Sequence, residues 1–362
     1  MIDFKNSLKS NNDITIIIIT YNRYSFLLRL LNFYDSYEHN FNFLILDSSN
    51  DAFEEKINKF INRKNFIYKK FSSKIFFAKK ISEGCKFITT QFSVLCADDD
   101  FLIPKGIIES KNFLIKNKDY SSAHGLYFNH TGYENSIKKG FSIGKINNIV
   151  DKNSSAEESL PEERLRAYFS NELPLYPLYA LHRSKLFKLI WEETGKNITD
   201  WGLSELCPSA LSITYGKMKI LNVFYSSREP NQFIWYNNNQ RLKMFSNEKV
   251  KRAIKIINNH LCQVNNNKEN LILLNQLFNK YTNDLKQKLG SGEKIKPSIL
   301  SKIRNKIGLR TTIRKYLYNG SHPSIHPKFK GDYLKLKKAV LSSSLTSEEL
   351  NNSRSSYRLE KD

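Results

Sequence analysis

Three adjacent carboxylates, Asp98, Asp99 and Asp100, are the residues of this sequence that most clearly point to a chemical function. They follow the mostly apolar run FSVLCA and precede an apolar run that ends at Pro104. Adjacent carboxylates repel one another and resist burial, so a bound cation is the simplest way to stabilise them. Mg²⁺ and Mn²⁺ prefer carboxylate oxygens and retain water and phosphate oxygens as further ligands. The run therefore predicts a divalent-cation site for a phosphorylated ligand, with Asp98 and Asp100 on the same side of the strand end.

Strands and helices alternate around these acids. The β-branched run ITIIIIT, at residues 14–20, predicts a strand that is buried on both faces of a parallel sheet. Apolar residues at helical spacing in SFLLRLLNFY predict a helix with Ser25 as its N-cap. The run DAFEEKINKFINR, at residues 51–63, predicts a second helix. The runs FNFLILD, NFIYKKF and FSVLCA predict further strands. The predicted class is α/β, with a mainly parallel, Rossmann-like sheet flanked by helices.

Polar residues follow three of the predicted strands. Thr20, Tyr21 and Arg23 come at the end of the first strand, and Asp47 and Ser49 come at the end of the second. The three acids follow the fourth. Because ligands of such sheets bind at the carboxyl ends of the strands, we expect these groups to share one edge of the sheet.

The composition describes a large, basic, globular protein. The 362 residues are 40% hydrophobic and carry a formal net charge of +22. This charge suggests a polyanionic partner, although an AT-rich coding bias towards Lys, Asn and Ile explains it equally well. The four cysteines form no CxxC pair, which favours a reducing compartment over a zinc site or a disulfide framework.

The sequence pattern favours neither a signal peptide nor a membrane-spanning segment. Its apolar runs are shorter than the roughly 20 residues that span a bilayer. We therefore expect a cytoplasmic protein, with peripheral contact at the inner face of the plasma membrane as a further possibility. The sequence also lacks GxGxxG, Walker A and HExxH patterns, which leaves dinucleotide oxidoreductases, P-loop enzymes and zincins without support.

The composition changes near residue 236. We predict a catalytic domain over residues 1–235, a helical and basic C-terminal extension over residues 236–345, and a disordered tail over residues 346–362. In the extension, residues 295–318 alternate isoleucines with many basic residues. This stretch either lies on an anionic membrane or packs its isoleucines on the catalytic domain.

The segments TIIIITYNR, LILDSS and CADDDFLIP resemble the nucleotide-binding half of family-two glycosyltransferases of the GT-A fold. The resemblance covers residues 13 to 230. It implies a metal-dependent, inverting transfer of a sugar from a nucleotide diphosphate sugar to a hydroxyl of a bacterial cell-surface glycan or glycolipid. Mn²⁺ or Mg²⁺ would be the cofactor, and no nucleic acid is expected as a partner.

The resemblance also implies roles for residues on the predicted edge. Thr20, Tyr21 and Arg23 would line the nucleotide pocket, and Asp47, with Ser49 beside it, would lie near the base or the ribose. Of the acids, Asp98 would approach the ribose and Asp100 the metal and diphosphate. An alignment on Pro104 makes Asp99 the metal ligand instead, so both remain candidates.

Further site residues follow from the same comparison. Lys79 and Lys80 stand where the family has a basic residue facing the nucleotide, and a solvated helix face is the alternative. Inverting transfer needs a general base. Counting back from a Gly-Lys turn gives Glu205 as that base, with Asp200 as the runner-up; either could instead be a helix-start acid.

Two more residues complete the predicted site. Arg228 matches a position that is often basic in the family. Trp201, close to the proposed base, is the tryptophan best placed to stack on a sugar ring.

Two other functions compete with glycosyl transfer. A nucleotidyltransferase also uses an acidic metal site, but it usually needs a glycine-rich loop near the N-terminus, and TYNRYS contains no glycine. A nucleic-acid-binding protein would explain the charge, but the basic residues are spread along the chain and form no recognised binding motif.

Overall fold

The structure is a computed structural model that describes residues 13–50, 55–134, 139–145, 155–169, 177–229, 246–265, 267, 269–290 and 327–342. The strands are β1 (Ile14–Thr20), β2 (Asn42–Asp47), β3 (Phe66–Lys70), β4 (Phe92–Ala97), β5 (Phe101–Leu102), β6 (Tyr120–Glu134), β7 (Lys139–Lys145), β8 (Leu181–Arg183) and β9 (Lys217–Arg228). The α-helices are α1 (Tyr24–Asp35), α2 (Asn58–Ile61), α3 (Phe77–Gly84), α4 (Pro104–Lys116), α5 (Pro161–Phe169), α6 (Ser184–Asn197), α7 (Trp201–Tyr215), α8 (Asn247–Val264), α9 (Asn270–Gly290) and α10 (Lys330–Ser342). Short 3₁₀ turns lie at Glu55–Ile57, Cys85–Phe87 and Pro177–Tyr179.

The strands of the described residues form one mixed sheet in the order β3-β2-β1-β4-β8-β6-β9-β5, with β7 paired to β6. Strands β3, β2, β1 and β4 are mutually parallel, as the alternation of strand and helix predicts. Beyond β4 the directions change, because β8 runs antiparallel to both β4 and β6. The α/β class is therefore confirmed, and the parallel half is the part that carries the three polar strand ends.

The sheet is buried on both faces. In β1, Ile16 and Ile18 face one apolar cluster, which contains α1, while Ile17 faces a second cluster on the other side. Successive strand residues point to opposite faces, so an unbroken isoleucine run is the pattern expected of a strand covered on both sides. The core thus holds the carboxyl end of β1 at a fixed position.

Helices from the C-terminal part of the chain complete both clusters. Helices α8 and α9 join the second cluster, and α10 contributes Leu336 and Val340 to the first. The predicted boundary at residues 235 and 236, residues 295–318 and the tail at residues 346–362 lie outside the described residues. Within the described residues, none of the helices combines the length and apolar character needed to cross a membrane.

Two local predictions differ from the structure. Helix α1 begins at Tyr24 with Arg23 in the N-cap position and no side-chain cap, so the prediction of Ser25 as the cap is wrong. The chain instead turns at Asn22, which has a φ of 53°. Asparagine tolerates this left-handed conformation better than most residues. The helix predicted around residues 51–63 is reduced, where described, to a 3₁₀ turn and the single turn of α2.

Candidate active site at the carboxyl edge of the sheet

The ends of β1 and β2 are joined by backbone and side-chain hydrogen bonds. Register places Thr20 beside Asp47, and the Ser48 N–H donates to the Thr20 carbonyl over 3.2 Å. The Asn22 N–H donates to Ser49 Oγ over 2.8 Å, and the Asn22 side chain accepts from the Asn50 N–H over 2.7 Å. The left-handed turn at Asn22 therefore locks the TYNR and DSS segments into one unit.

Asp98 and Asp99 are held by the residues that end β1. Arg23 reaches both carboxylates, with Nη1 at 2.9 Å from Asp98 and Nη2 at 2.9 Å from Asp99. Thr20 Oγ1 donates a 2.7 Å hydrogen bond to the other oxygen of Asp98. Burial raises the pKa of Asp98, since the nearby Arg23 charge compensates only part of the lost hydration and Asp99 adds repulsion. Asp98 is thus enclosed by protein donors, with 1% of its side chain exposed.

Asp100 meets a different arginine, Arg228 at the end of β9. Because β5 follows the acids directly and pairs antiparallel with β9, placing Phe101 opposite Ser227, the chain brings Arg228 back to the acids. Arg228 Nε donates to Asp100 Oδ2 over 3.0 Å, and the Glu229 N–H donates to Asp100 Oδ1 over 3.2 Å. Burial raises the pKa of Asp100; Arg228 opposes this rise and Asp99 adds to it.

Close packing fixes this end of β9. A Cβ atom on Gly106 of α4 would lie 2.5 Å from the Phe224 carbonyl oxygen and 2.7 Å from the Tyr225 Cα. Only glycine allows helix α4 to approach the strand so closely. The helix that follows the acids is therefore packed directly on the strand that carries Arg228.

A second buried charge network lies behind the acids. Arg29 donates to Glu229 over 2.8 Å and to the Asp99 carbonyl over 3.2 Å. His130 Nε2 lies 3.7 Å from the same Glu229 carboxylate. Although burial opposes it, the charge of Arg29 holds the pKa of Glu229 well below its usual range. Helix α1 and strands β6 and β9 thus jointly anchor the backbone of the acidic turn.

Asp47 is completely enclosed. Its carboxylate accepts hydrogen bonds from the Ser49 N–H over 2.7 Å, Ser49 Oγ over 2.6 Å, Tyr24 over 2.7 Å and Tyr68 over 2.5 Å, and Lys70 lies 3.1 Å away. Burial alone would raise the pKa of Asp47, but the donors from Ser49, Tyr68 and Tyr24 lower it. The predicted role of Asp47 at the base or ribose stays a prediction.

The two candidate lysines face opposite ways. Lys80 is buried and donates to the Thr20 carbonyl over 2.9 Å and to Ser48 Oγ over 2.8 Å. Burial lowers the pKa of Lys80 to about 8, against the favourable charges of Asp47 and Asp98. Lys79 is half exposed and lies 3.7 Å from Glu83 of its own helix. Of the pair, Lys80 is the one that contacts the strand ends.

Glu205 and Asp200 also differ in surroundings. Asp200 is the N-cap of α7: its carboxylate accepts the Leu203 N–H over 2.9 Å. Glu205 is one turn further along and is solvent-exposed. Surrounding protein nevertheless raises the pKa of Glu205, and the Arg228 charge opposes that rise. Arg228 therefore interacts electrostatically with Glu205 and bonds directly to Asp100.

The remaining predicted residues border this region. The Trp201 ring stacks on Phe77, with 4.5 Å between ring centroids and 15° between planes, and it also contacts Phe76. The Tyr21 hydroxyl lies 3.5 Å from the Asn50 amide. Their predicted contacts with sugar and nucleotide stay predictions.

The acids have the chemistry of a divalent-cation site with few protein ligands. Among the described residues, no three His, Cys, Asp or Glu side chains are arranged to hold a metal. Mg²⁺ needs only one or two carboxylates when phosphate and water supply the rest. Asp99, with 13% of its side chain exposed, and Asp100, with 7%, are more accessible than Asp98. When all three acids are ionised, Arg23 and Arg228 balance two of the three negative charges, and a cation would offset the third.

Comparison with known proteins agrees with this architecture. Residues 15–172 match the model of glycosyl transferase family 2. The crystal structure of S. aureus TarS 1–349 has a TM-score of 0.50 at 12% identity, over 95% of this chain and 90% of that chain. The complex of TarS 1–349 with UDP-GlcNAc gives 0.52 at 13% identity over the same shares. A likeness at this identity shows the fold alone. A comparison with curated protein sequences finds no match.

The sheet, its flanking helices and the acidic turn define an enzyme of the GT-A fold. The chain is a glycosyltransferase, and its match to the family 2 model lies within residues 15–172. The resemblance predicted from TIIIITYNR, LILDSS and CADDDFLIP is therefore confirmed.

Sequence reasoning missed several residues that shape the site. Tyr179 lies under Arg228, with the guanidinium carbon 4.9 Å from the ring centroid. The only sequence signal for it is an aromatic residue between Pro177 and a strand in YPLYALHR. Arg29 and Glu229 were also missed. The acid directly after Arg228 becomes informative only once β9 is known to return to the three acids.

Proposed function

We propose that this glycosyltransferase is metal-dependent and inverting, and that it moves a sugar from a nucleotide diphosphate sugar to a hydroxyl of a cell-surface glycan or glycolipid. The observation that carries this proposal is the position of Arg228, whose charge interacts with both Asp100 and Glu205. This supports the proposal because the same arginine interacts with the residue assigned to the leaving group and with the residue assigned as the base.

Transfer would proceed as a single displacement. The acceptor oxygen attacks the anomeric carbon, the bond from that carbon to the phosphate oxygen breaks, and Glu205 takes the acceptor proton. A raised pKa makes Glu205 a stronger base than an ordinary glutamate. Arg228 would stabilise the negative charge that develops on the departing diphosphate, and it is already held in place by Asp100. Inversion at the anomeric carbon follows from attack opposite the leaving group.

Asp100 and Asp99 are the residues that would hold Mn²⁺ or Mg²⁺. When bound, the ion would supply positive charge to the diphosphate. Lys80, Thr20 and Arg23 would contribute by keeping the strand ends and Asp98 in a fixed arrangement. Tyr21, Asp47 and Ser49 would line the nucleotide side.

The direct test is transfer chemistry with defined donors. UDP-GlcNAc, which TarS binds in its complex, is the first donor to try, followed by other nucleotide sugars, each with Mn²⁺, Mg²⁺ or EDTA. We expect release of the nucleoside diphosphate only with a metal, and a product of inverted anomeric configuration by NMR. Turnover undiminished in EDTA would refute metal dependence, and retained configuration would refute inversion.

The acceptor proposal includes contact with an anionic membrane. Helix α10 presents Lys330, Leu334, Lys337 and Lys338 to solvent, a basic face with one apolar side chain that is 52% exposed. Such faces are attracted to anionic lipid by charge and by apolar contact. Flotation with vesicles containing phosphatidylglycerol, but not with neutral vesicles, would support this contact. A variant with the three lysines changed to glutamate should stay unbound, and equal flotation of both proteins would refute the contact.

A further inference from the structure

Tyr179 occupies the junction between the two apolar clusters of the fold. It ends the 3₁₀ turn Pro177–Tyr179, just before β8, and its ring packs against both clusters. A side chain in this position is restrained from both faces of the sheet. Its orientation is therefore set by the core and not by local turn preferences.

The backbone of Tyr179 is also restrained. Its carbonyl oxygen accepts hydrogen bonds from the Tyr225 hydroxyl over 2.9 Å and from the Tyr127 hydroxyl over 3.3 Å. Both donors are almost fully buried, on β9 and β6 respectively. A carbonyl oxygen has two lone pairs, so it can accept both bonds, and together they tie the backbone of Tyr179 to β6 and β9.

The restrained ring lies beneath the guanidinium of Arg228. The Arg228 Cζ is 4.9 Å from the Tyr179 ring centroid, within the range of a cation–π contact. From this position Arg228 directs Nε to Asp100. The phenol also interacts electrostatically with Glu205, Asp99 and Asp100. Tyr179 thus lies among the groups to which leaving-group stabilisation and proton removal are assigned above.

We propose that Tyr179 is a positioning residue of the transfer site, whose ring holds the Arg228 guanidinium against Asp100. This inference rests on the proposed function. An arginine side chain has many rotamers, and an aromatic platform reduces the number that it samples. The ring is the part that acts, so phenylalanine should replace tyrosine at this position, whereas an aliphatic side chain of similar volume should not.

A double-mutant cycle tests the proposal. We expect Tyr179→Phe to keep kcat/KM within about threefold of wild type, and Tyr179→Leu to lose about tenfold, the scale of one cation–π contact. In an Arg228→Gln background, Tyr179→Leu should change kcat/KM less than about twofold, because its partner is already absent. A tenfold loss that persists in that background would overturn the proposal, as would equal losses in the Phe and Leu variants.

A second measurement does not depend on turnover. The hydrogen-exchange rate of the Arg228 Nε–H, assigned in NMR spectra by its absence from Arg228→Gln, reports the bond to Asp100. Exchange should be slow in wild type and Tyr179→Phe and faster in Tyr179→Leu, or in Tyr179→Met should the leucine variant not fold. Equal protection in all variants would overturn the proposal. If the exchange rates follow the expected order but the protein turns over no nucleotide sugar, the result counts against the proposed function and not against the role of Tyr179.

Discussion

Arg228 and Asp100 lie 128 residues apart in the sequence, yet Arg228 Nε donates a 3.0 Å hydrogen bond to Asp100 Oδ2. The two-residue strand β5 creates this contact by pairing with the end of β9. Asp100 is held as a buried carboxylate even though burial raises its pKa. The site therefore maintains a charge that the fold alone would not favour.

Replacing Asp100 should separate stability from function. Because the pKa of Asp100 is raised in the folded protein, its ionised form costs free energy at neutral pH. Asp100→Asn should therefore raise the free energy of unfolding in EDTA at pH 7.5 by about 1–3 kcal/mol. The same change should reduce kcat by about 100-fold or more.

Arg23 provides the matched control for that variant. Arg23→Gln leaves Asp98 and Asp99 without their shared cation, so it should lower the free energy of unfolding by about 3 kcal/mol. Urea titrations of the three proteins measure both changes. A less stable Asp100→Asn protein would show that the Arg228 contact outweighs the cost of burying the charge.

Glu205 and Asp200 are distinguished by amide substitutions. Glu205→Gln removes the proposed base and should lower kcat by roughly 10²- to 10⁴-fold, with little change in melting temperature because the side chain is exposed. Asparagine is as good an N-cap as aspartate, so Asp200→Asn should retain both activity and stability. Asp200→Ala should cost about 1 kcal/mol as the cap is lost. Loss of turnover in Asp200→Asn but not in Glu205→Gln would reverse the assignment.

Buried histidines should make stability depend on pH. Burial lowers the pKa of His182 to about 4, from the usual 6.5. Between these values the unfolded chain binds a proton that the folded protein does not, so this contribution to stability is full above pH 6.5 and is lost as the pH falls towards 4. From pH 7 to pH 5, wild type should lose about 2 kcal/mol more than His182→Gln.

The comparison of wild type with the variant is essential for that measurement. Asp98 and Asp100 have raised pKa values and titrate in the opposite sense, so acidification stabilises the fold through them. Both proteins are unfolded in urea at both pH values, and the difference between them cancels the contribution of Asp98 and Asp100, which they share. Parallel pH profiles for the two proteins would contradict a neutral, buried His182.

Substitutions of the adjacent residues Lys80 and Lys79 should differ in their effects on stability and on UDP binding. Lys80→Met removes two buried hydrogen bonds, to the Thr20 carbonyl and to Ser48 Oγ, and should lower the free energy of unfolding by about 1–3 kcal/mol. Lys79→Ala removes a half-exposed side chain and should change the free energy of unfolding by less than about 0.5 kcal/mol. Binding of UDP, measured by calorimetry, should weaken only in the Lys80 variant. Weaker binding in the Lys79 variant would restore Lys79 as a nucleotide contact.

Sequence periodicity predicted the part of the site that depends on parallel strand ends. An isoleucine run buried on both faces forces Thr20, Asp47 and Asp98 to one edge of the sheet, and the structure joins Thr20 to Asp98 directly. The resemblance to family-two enzymes supplied Arg228, which no periodicity would have selected. The shared edge could be predicted because it depends on a strong local pattern, while the roles of these residues in transfer stay predictions.

Contacts made by short or distant elements escaped prediction. Strand β5 has two residues, too few for any alternation pattern, yet its pairing brings Arg228 to Asp100. Tyr179 is held by hydroxyls from two other strands, so its position depends on the assembled sheet. The cap predicted at Ser25 failed because the left-handed turn at Asn22 starts the helix elsewhere.

The contact between the first and last described helices bears on how the chain folds during synthesis. Tyr37, just after α1, bonds to Asp332 across 295 residues, and Leu336 of α10 completes the apolar cluster beneath α1. At about 5–20 residues per second, a ribosome needs roughly 15–60 s to make the intervening chain. During that interval the apolar surface that α10 later covers is exposed on the nascent chain, and we expect chaperones to bind there until α10 has been made.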